Sequence, residues 1–60
     1  MNHSTVLMVA RVIATNYGLV EEPFIVSYVQ ILQRLLDSHV MQDIECALSS
    51  LFIIFKAKKV

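Results

Sequence analysis

The stretch that decides the fold is "PFIVSYVQILQRLLDS", from Pro23 to Ser38. At about 100° per residue, its polar side chains share one stripe of a helix, and its large apolar side chains fill an arc of roughly 160° on the other side. Pro23 suits the first position of a helix, because its missing N–H would have no partner there. Glu21 and Glu22 lie where the positive end of the helix dipole favours acids. The pattern predicts a helix over 23–37.

The next segment repeats this pattern and predicts a helix over about 39–56. Ser38 is a plausible N-cap for it, and acids precede bases along it, as the helix dipole prefers. Because the join is tight, the two helices should form an antiparallel αα-hairpin. The apolar arc that we expect to face the core consists of Val40, Met41, Ile44, Ala47, Leu48, Leu51, Phe52, Ile54 and Phe55.

The first segment, "STVLMVARVIATNYG" from Ser4 to Gly18, is ambiguous. It reads as a helix over about 5–16 that is apolar almost all round, with Gly18 in a left-handed position after its end. Its many β-branched residues also allow a doubly buried strand. Length and the glycine stop favour the helix. We therefore expect an all-α, three-helix domain over 1–60 that is frayed at 1–3 and 57–60. The alternative is a ribbon-helix-helix-like fold with an N-terminal strand.

A chain of 60 residues needs more than its own core. A single core of this size rarely supplies more than about 3–5 kcal/mol, so small domains rely on disulfides, a metal or self-association. Cys46 is the only cysteine, and with His3 and His39 it makes too few ligands for structural zinc. Apolar residue types make up 57% of the chain. Self-association, most simply as a two-fold helical dimer, is the expectation.

The first helix has more apolar surface than two neighbouring helices can cover, so we expect it to supply the interface. Met8, Val9 and Val12 should lie at the centre of that interface. The third helix adds a minor apolar stripe away from its main arc, and Cys46 and Ile53 of this stripe complete the predicted self or partner interface.

These features favour a small, non-enzymatic protein–protein interaction module. The expected form is a homodimeric regulator, inhibitor or adaptor that meets itself and another protein through an apolar helical surface. The alternative is a dimeric DNA-binding transcriptional regulator of the ribbon-helix-helix type. In that arrangement, only Arg11 and Thr15 on the ribbon could read bases.

Other functions are disfavoured. We expect no catalytic residues, no cofactor, no metal and no small-molecule substrate. Gly18 is the only glycine, so there is no glycine-rich phosphate-binding loop. The acids Asp43 and Glu45 are two residues apart and face different ways on a helix, so they cannot act as a pair. The formal net charge of zero argues against nucleic acid, and the polar helix faces are too poor in Lys and Arg for a membrane surface. A single free cysteine and the lack of an export signal favour the cytoplasm.

Overall fold

A computed structural model describes residues 2–58, without the side chain of Lys58, and contains three α-helices. Helix α1 spans His3–Thr15, α2 spans Glu22–Leu36 and α3 spans Met41–Lys58, with a 3-10 turn at Tyr17–Leu19 between the first two. No strand occurs within residues 2–58, so the all-helical prediction is confirmed and the segment that the ribbon alternative required as a strand is helical.

The helix ends differ slightly from those expected. His3, Ala57 and Lys58, which we expected to fray, belong to helices, and Asn2 caps α1, whereas Met1, Lys59 and Val60 of the expected frayed ends lie outside the described residues.

Helix α1 is closed at each end by an asparagine. The side chain of Asn2 accepts a hydrogen bond from the Thr5 amide at 2.8 Å, as an N-cap does. At the other end, the backbone N–H and the side-chain amide of Asn16 both donate to the carbonyl of Val12, at 3.1 and 3.0 Å. Gly18 does not take the expected left-handed conformation. The Asn16 bonds satisfy the carbonyl end of the helix, and the 3-10 turn that follows needs no positive φ.

A small polar cluster closes the hairpin between α2 and α3. The hydroxyl of Ser38 accepts from the Val40 amide at 3.0 Å and donates to the carboxylate of Asp43 at 2.7 Å. Ser38 therefore acts at the start of α3, as the sequence indicated, but from two positions before the N-cap. Nε2 of His3 lies 2.5 Å from the same carboxylate. This bond ties the start of α1 to the start of α3, so both helices begin at the same end of the bundle.

Helix α3 is the central element of the bundle. Both α1 and α2 pack against it, while α1 and α2 approach each other only sparsely. Within residues 2–58 the core contains seven buried apolar residues, and Ser50 is buried among them. Its members are Val6, Ala10, Ile13, Tyr28, Leu32, Cys46 and Ala47. Four of the eight buried residues are Ala, Cys or Ser, so helices meet here over short side chains.

None of the helices in the described part of the chain is long and apolar enough to cross a membrane.

Candidate functional site

Four large, well exposed apolar side chains lie together on one face of α3. Met41, Leu48, Phe52 and Phe55 are 63%, 55%, 66% and 67% exposed. On a helix of about 100° per residue, these four lie within about 60° of one another, and Ser50 lies on the opposite side from Met41. We call these four residues the α3 outer face. Single exposed apolar residues are ordinary, whereas several large apolar side chains on one face of a helix make that face a candidate interaction surface.

This orientation of α3 corrects the sequence analysis. The arc expected to face the core includes all four residues of the α3 outer face, yet they point away from it. In the stripe that looked minor, Cys46 is buried, Ser50 on the same side is buried too, and Ile53 is half-buried, whereas Ala57 near its end is exposed. Small side chains allow the backbone of α1 to come close to α3, and the dense α1–α3 packing follows from that approach.

The predicted interface residues do not form one surface. Met8 and Val12 of α1 are about half exposed and lie one turn apart, as expected of a contact surface. Val9 is half-buried and faces α2, and Ile53 is half-buried against the core. Cys46 is buried, and its thiol points at the carbonyl of His3 at 3.7 Å. The apolar surplus that the sequence assigned to α1 is thus larger on α3.

Opposite charges flank one side of the α3 outer face. Glu45 and Lys56 are both exposed and lie within about 20° of each other around the helix axis, next to Phe52. They are separated by about 16 Å along the axis, which is three helical turns. Nζ of Lys56 is 5.9 Å from the centre of the Phe52 ring, a weak cation–π contact within the chain.

A second apolar surface is the groove left between α1 and α2. One part of it has a volume of about 220 Å³ and is lined almost entirely by apolar atoms of Val9, Phe24, Tyr28 and Ile31. An adjoining part of about 360 Å³ shares Ile31 and is lined also by Val6, Arg34 and Leu35. The groove exists because α1 and α2 both rest on α3 and hardly touch each other.

The phenol of Tyr28 crosses the base of this groove. Its hydroxyl donates a hydrogen bond to the carbonyl of Val6 at 2.7 Å. The whole residue is only 3% exposed. Burial raises the pKa of Tyr28, a hydrogen bond with Ser50 opposes the rise, and Cys46 adds to it. A neutral phenol that is already hydrogen-bonded holds α2 to α1 and offers no reactive group to a ligand.

The polar cluster at the hairpin contains serine, aspartate and histidine but lacks the geometry of a catalytic triad. In a triad the imidazole lies between the serine and the aspartate and removes the serine proton. Here the carboxylate of Asp43 lies between Ser38 and His3, so the imidazole does not contact the hydroxyl and cannot take its proton directly. No group of three potential metal ligands occurs in residues 2–58 either. The cluster therefore has a structural role, which is to hold the start of α1 and the hairpin to the start of α3.

Acid should weaken this tie. The hydroxyl of Ser38 and then the imidazole of His3 hold the pKa of Asp43 below its ordinary value. The carboxylate therefore adds stability above the unfolded pKa of about 3.9, and that contribution is lost as the pH falls through the lower folded pKa.

We expect Asp43→Asn to be less stable than wild type at neutral pH and to approach it in acid, as measured by urea unfolding from pH 7 to 2. Asp37→Asn is the matched control. Equal acid dependence in wild type and Asp43→Asn would contradict the assignment.

No protein-family model, curated protein or solved structure matches the chain. Its class is therefore defined by its own architecture, a small all-helical domain of three helices with a central α3.

Proposed function

We propose that the protein is a non-enzymatic protein–protein interaction module that associates through the α3 outer face. The observation that carries the proposal is the row of large, exposed apolar side chains at Met41, Leu48, Phe52 and Phe55. Self-association is the first form of contact that we propose, and a regulator, inhibitor or adaptor of another protein is the biological role that such a surface suits.

The balance of buried and exposed apolar residues supports this proposal. Seven apolar residues form the core, whereas thirteen large apolar residues in the described part of the chain are exposed. A chain of this length has little stability to spare, and association would remove part of that surface from water. We also propose the cytoplasm as the compartment, because the single cysteine is a buried free thiol.

The test is the molar mass of the protein in solution, measured by light scattering behind a sizing column at micromolar concentration. We expect wild type to be heavier than its 6.8 kDa chain, and Phe52→Asp to run as a monomer. Phe52 is 66% exposed, so an aspartate there should leave the fold intact, which far-UV circular dichroism checks.

Phe24→Asp is the matched control, because Phe24 is also half exposed but belongs to α2 and the α1–α2 groove. It should keep the wild-type mass. A folded wild-type monomer whose mass is the same as that of Phe52→Asp would refute self-association through α3. Loss of association in Phe24→Asp alone would assign the contact to the groove.

A further inference from the structure

We infer that the α3 outer face is covered by the α3 of a second copy, packed antiparallel about a two-fold axis. This inference rests on the proposed function and names the partner of the same surface. The argument for a second copy is charge complementarity, because Glu45 and Lys56 flank the same side of the apolar row with opposite signs.

Two-fold symmetry decides which orientation those charges favour. In an antiparallel pair, the axis runs between the helices and perpendicular to both, so each side of one face meets the same side of the other. The partner's Lys56 then lies beside Glu45, and the partner's Glu45 lies beside Lys56. In a parallel pair the axis would run along the helices, so the charged side of one face would meet the opposite side of the other, away from the partner's Glu45 and the partner's Lys56.

The same register also aligns the apolar row. A pairing of Glu45 with the partner's Lys56 places the axis midway between these two positions, level with Ser50 and Leu51. Leu48 and the partner's Phe52 then differ in height by only about 1.5 Å, one residue rise. Leu48 would pack against the partner's Phe52, and by symmetry Phe52 would pack against the partner's Leu48 on the other side of the axis. Charge pairing and apolar packing therefore agree on one arrangement.

The charges cannot satisfy each other within one chain. Glu45 and Lys56 are about 16 Å apart along α3, which exceeds the Debye length of about 8 Å at physiological ionic strength. Any energetic coupling between them must therefore pass between two copies.

Charge reversal tests this coupling through the dissociation constant of the dimer. We expect Glu45→Lys and Lys56→Glu each to raise the dimer Kd about tenfold at low salt, because each turns two attractive contacts into repulsive ones. The double variant should return to within about threefold of wild type, and the differences should shrink in high salt. Glu21→Lys, an equal charge change on the exposed end of α2, should leave the Kd unchanged.

Cross-linking provides an independent measurement of orientation. In a Cys46→Ala background, a short bismaleimide should join two copies of the Glu45→Cys/Lys56→Cys variant and should fail to join two copies that carry Glu45→Cys alone. Efficient cross-linking of Glu45→Cys alone would place the two Glu45 positions at nearly the same height, which the antiparallel register forbids, and would overturn the inference.

The outcomes separate the inference from the proposed function. If Phe52→Asp dissociates the dimer but single charge reversals leave its Kd unchanged, the antiparallel register is wrong, and the α3 outer face remains the association surface. A mass that grows continuously with concentration would mean that α3 docks into the α1–α2 groove of the next copy, a head-to-tail contact that does not close. A wild-type monomer would overturn both the inference and the self-association from which it follows.

Discussion

Replacing Leu32 with alanine is expected to remove about 2–5 kcal/mol from the free energy of unfolding, as large-to-small substitutions in a packed core do. Leu32 is 2% exposed, and it is among the largest fully buried side chains of the domain. The loss is comparable with the total that a core of this size supplies, so Leu32→Ala should be largely unfolded at 25 °C. Urea unfolding followed by far-UV circular dichroism, at one fixed protein concentration, measures it.

Leu36→Ala is the matched control for this experiment. It deletes the same atoms from the same helix, but Leu36 is exposed at the end of α2. The cost should stay near that of an ordinary surface substitution, about 0.5 kcal/mol. Equal destabilisation by the two substitutions would show that α2 does not present Leu32 to the core.

The second large effect is expected from Ala47→Leu. Ala47 is fully buried on α3 among the core residues, and leucine would add three further carbon atoms there. Overpacking of this kind costs about 1–3 kcal/mol, because neighbouring side chains and helices must shift. We expect a lower urea midpoint, and faster amide hydrogen exchange in the helices that pack on α3.

Ala57→Leu controls for the change of residue type. It lies on the same helix, has nearly the same helix propensity and is exposed. Its urea midpoint should match that of wild type. If Ala47→Leu were equally neutral, α3 would not be the closely packed central helix described above.

The helices themselves could be predicted from the sequence. Periodic apolar positions, Pro23 and the tight join fix α2 and the hairpin to within a few residues. Tyr28 and Leu32, both in the predicted apolar arc of α2, are buried in the structure. The helical form of α1 was favoured by its length and its glycine stop but was not decided by the sequence, because its many β-branched residues also allowed a strand.

The choice of interface could not be predicted in the same way. Met8 and Val12 were expected at an interface and are about half exposed, which leaves that prediction untested, whereas Cys46 was also expected there and lies in the core. A helical wheel ranks faces by the size and number of apolar groups, so it turns Phe52 and Phe55 inward. A helical wheel does not take into account how closely two helix backbones can approach each other.

The sequence by itself determined that the chain has three segments of helical pattern and more apolar side chains than one small core can bury. Only the tertiary structure decided where the excess lies. Ala10 of α1 and Ala47 and Ser50 of α3 are fully buried, and short side chains like these allow dense contact between whole helices. That packing turns the larger side chains of α3 outward, and it moves the association surface that we propose from α1 to Leu48 and Phe52.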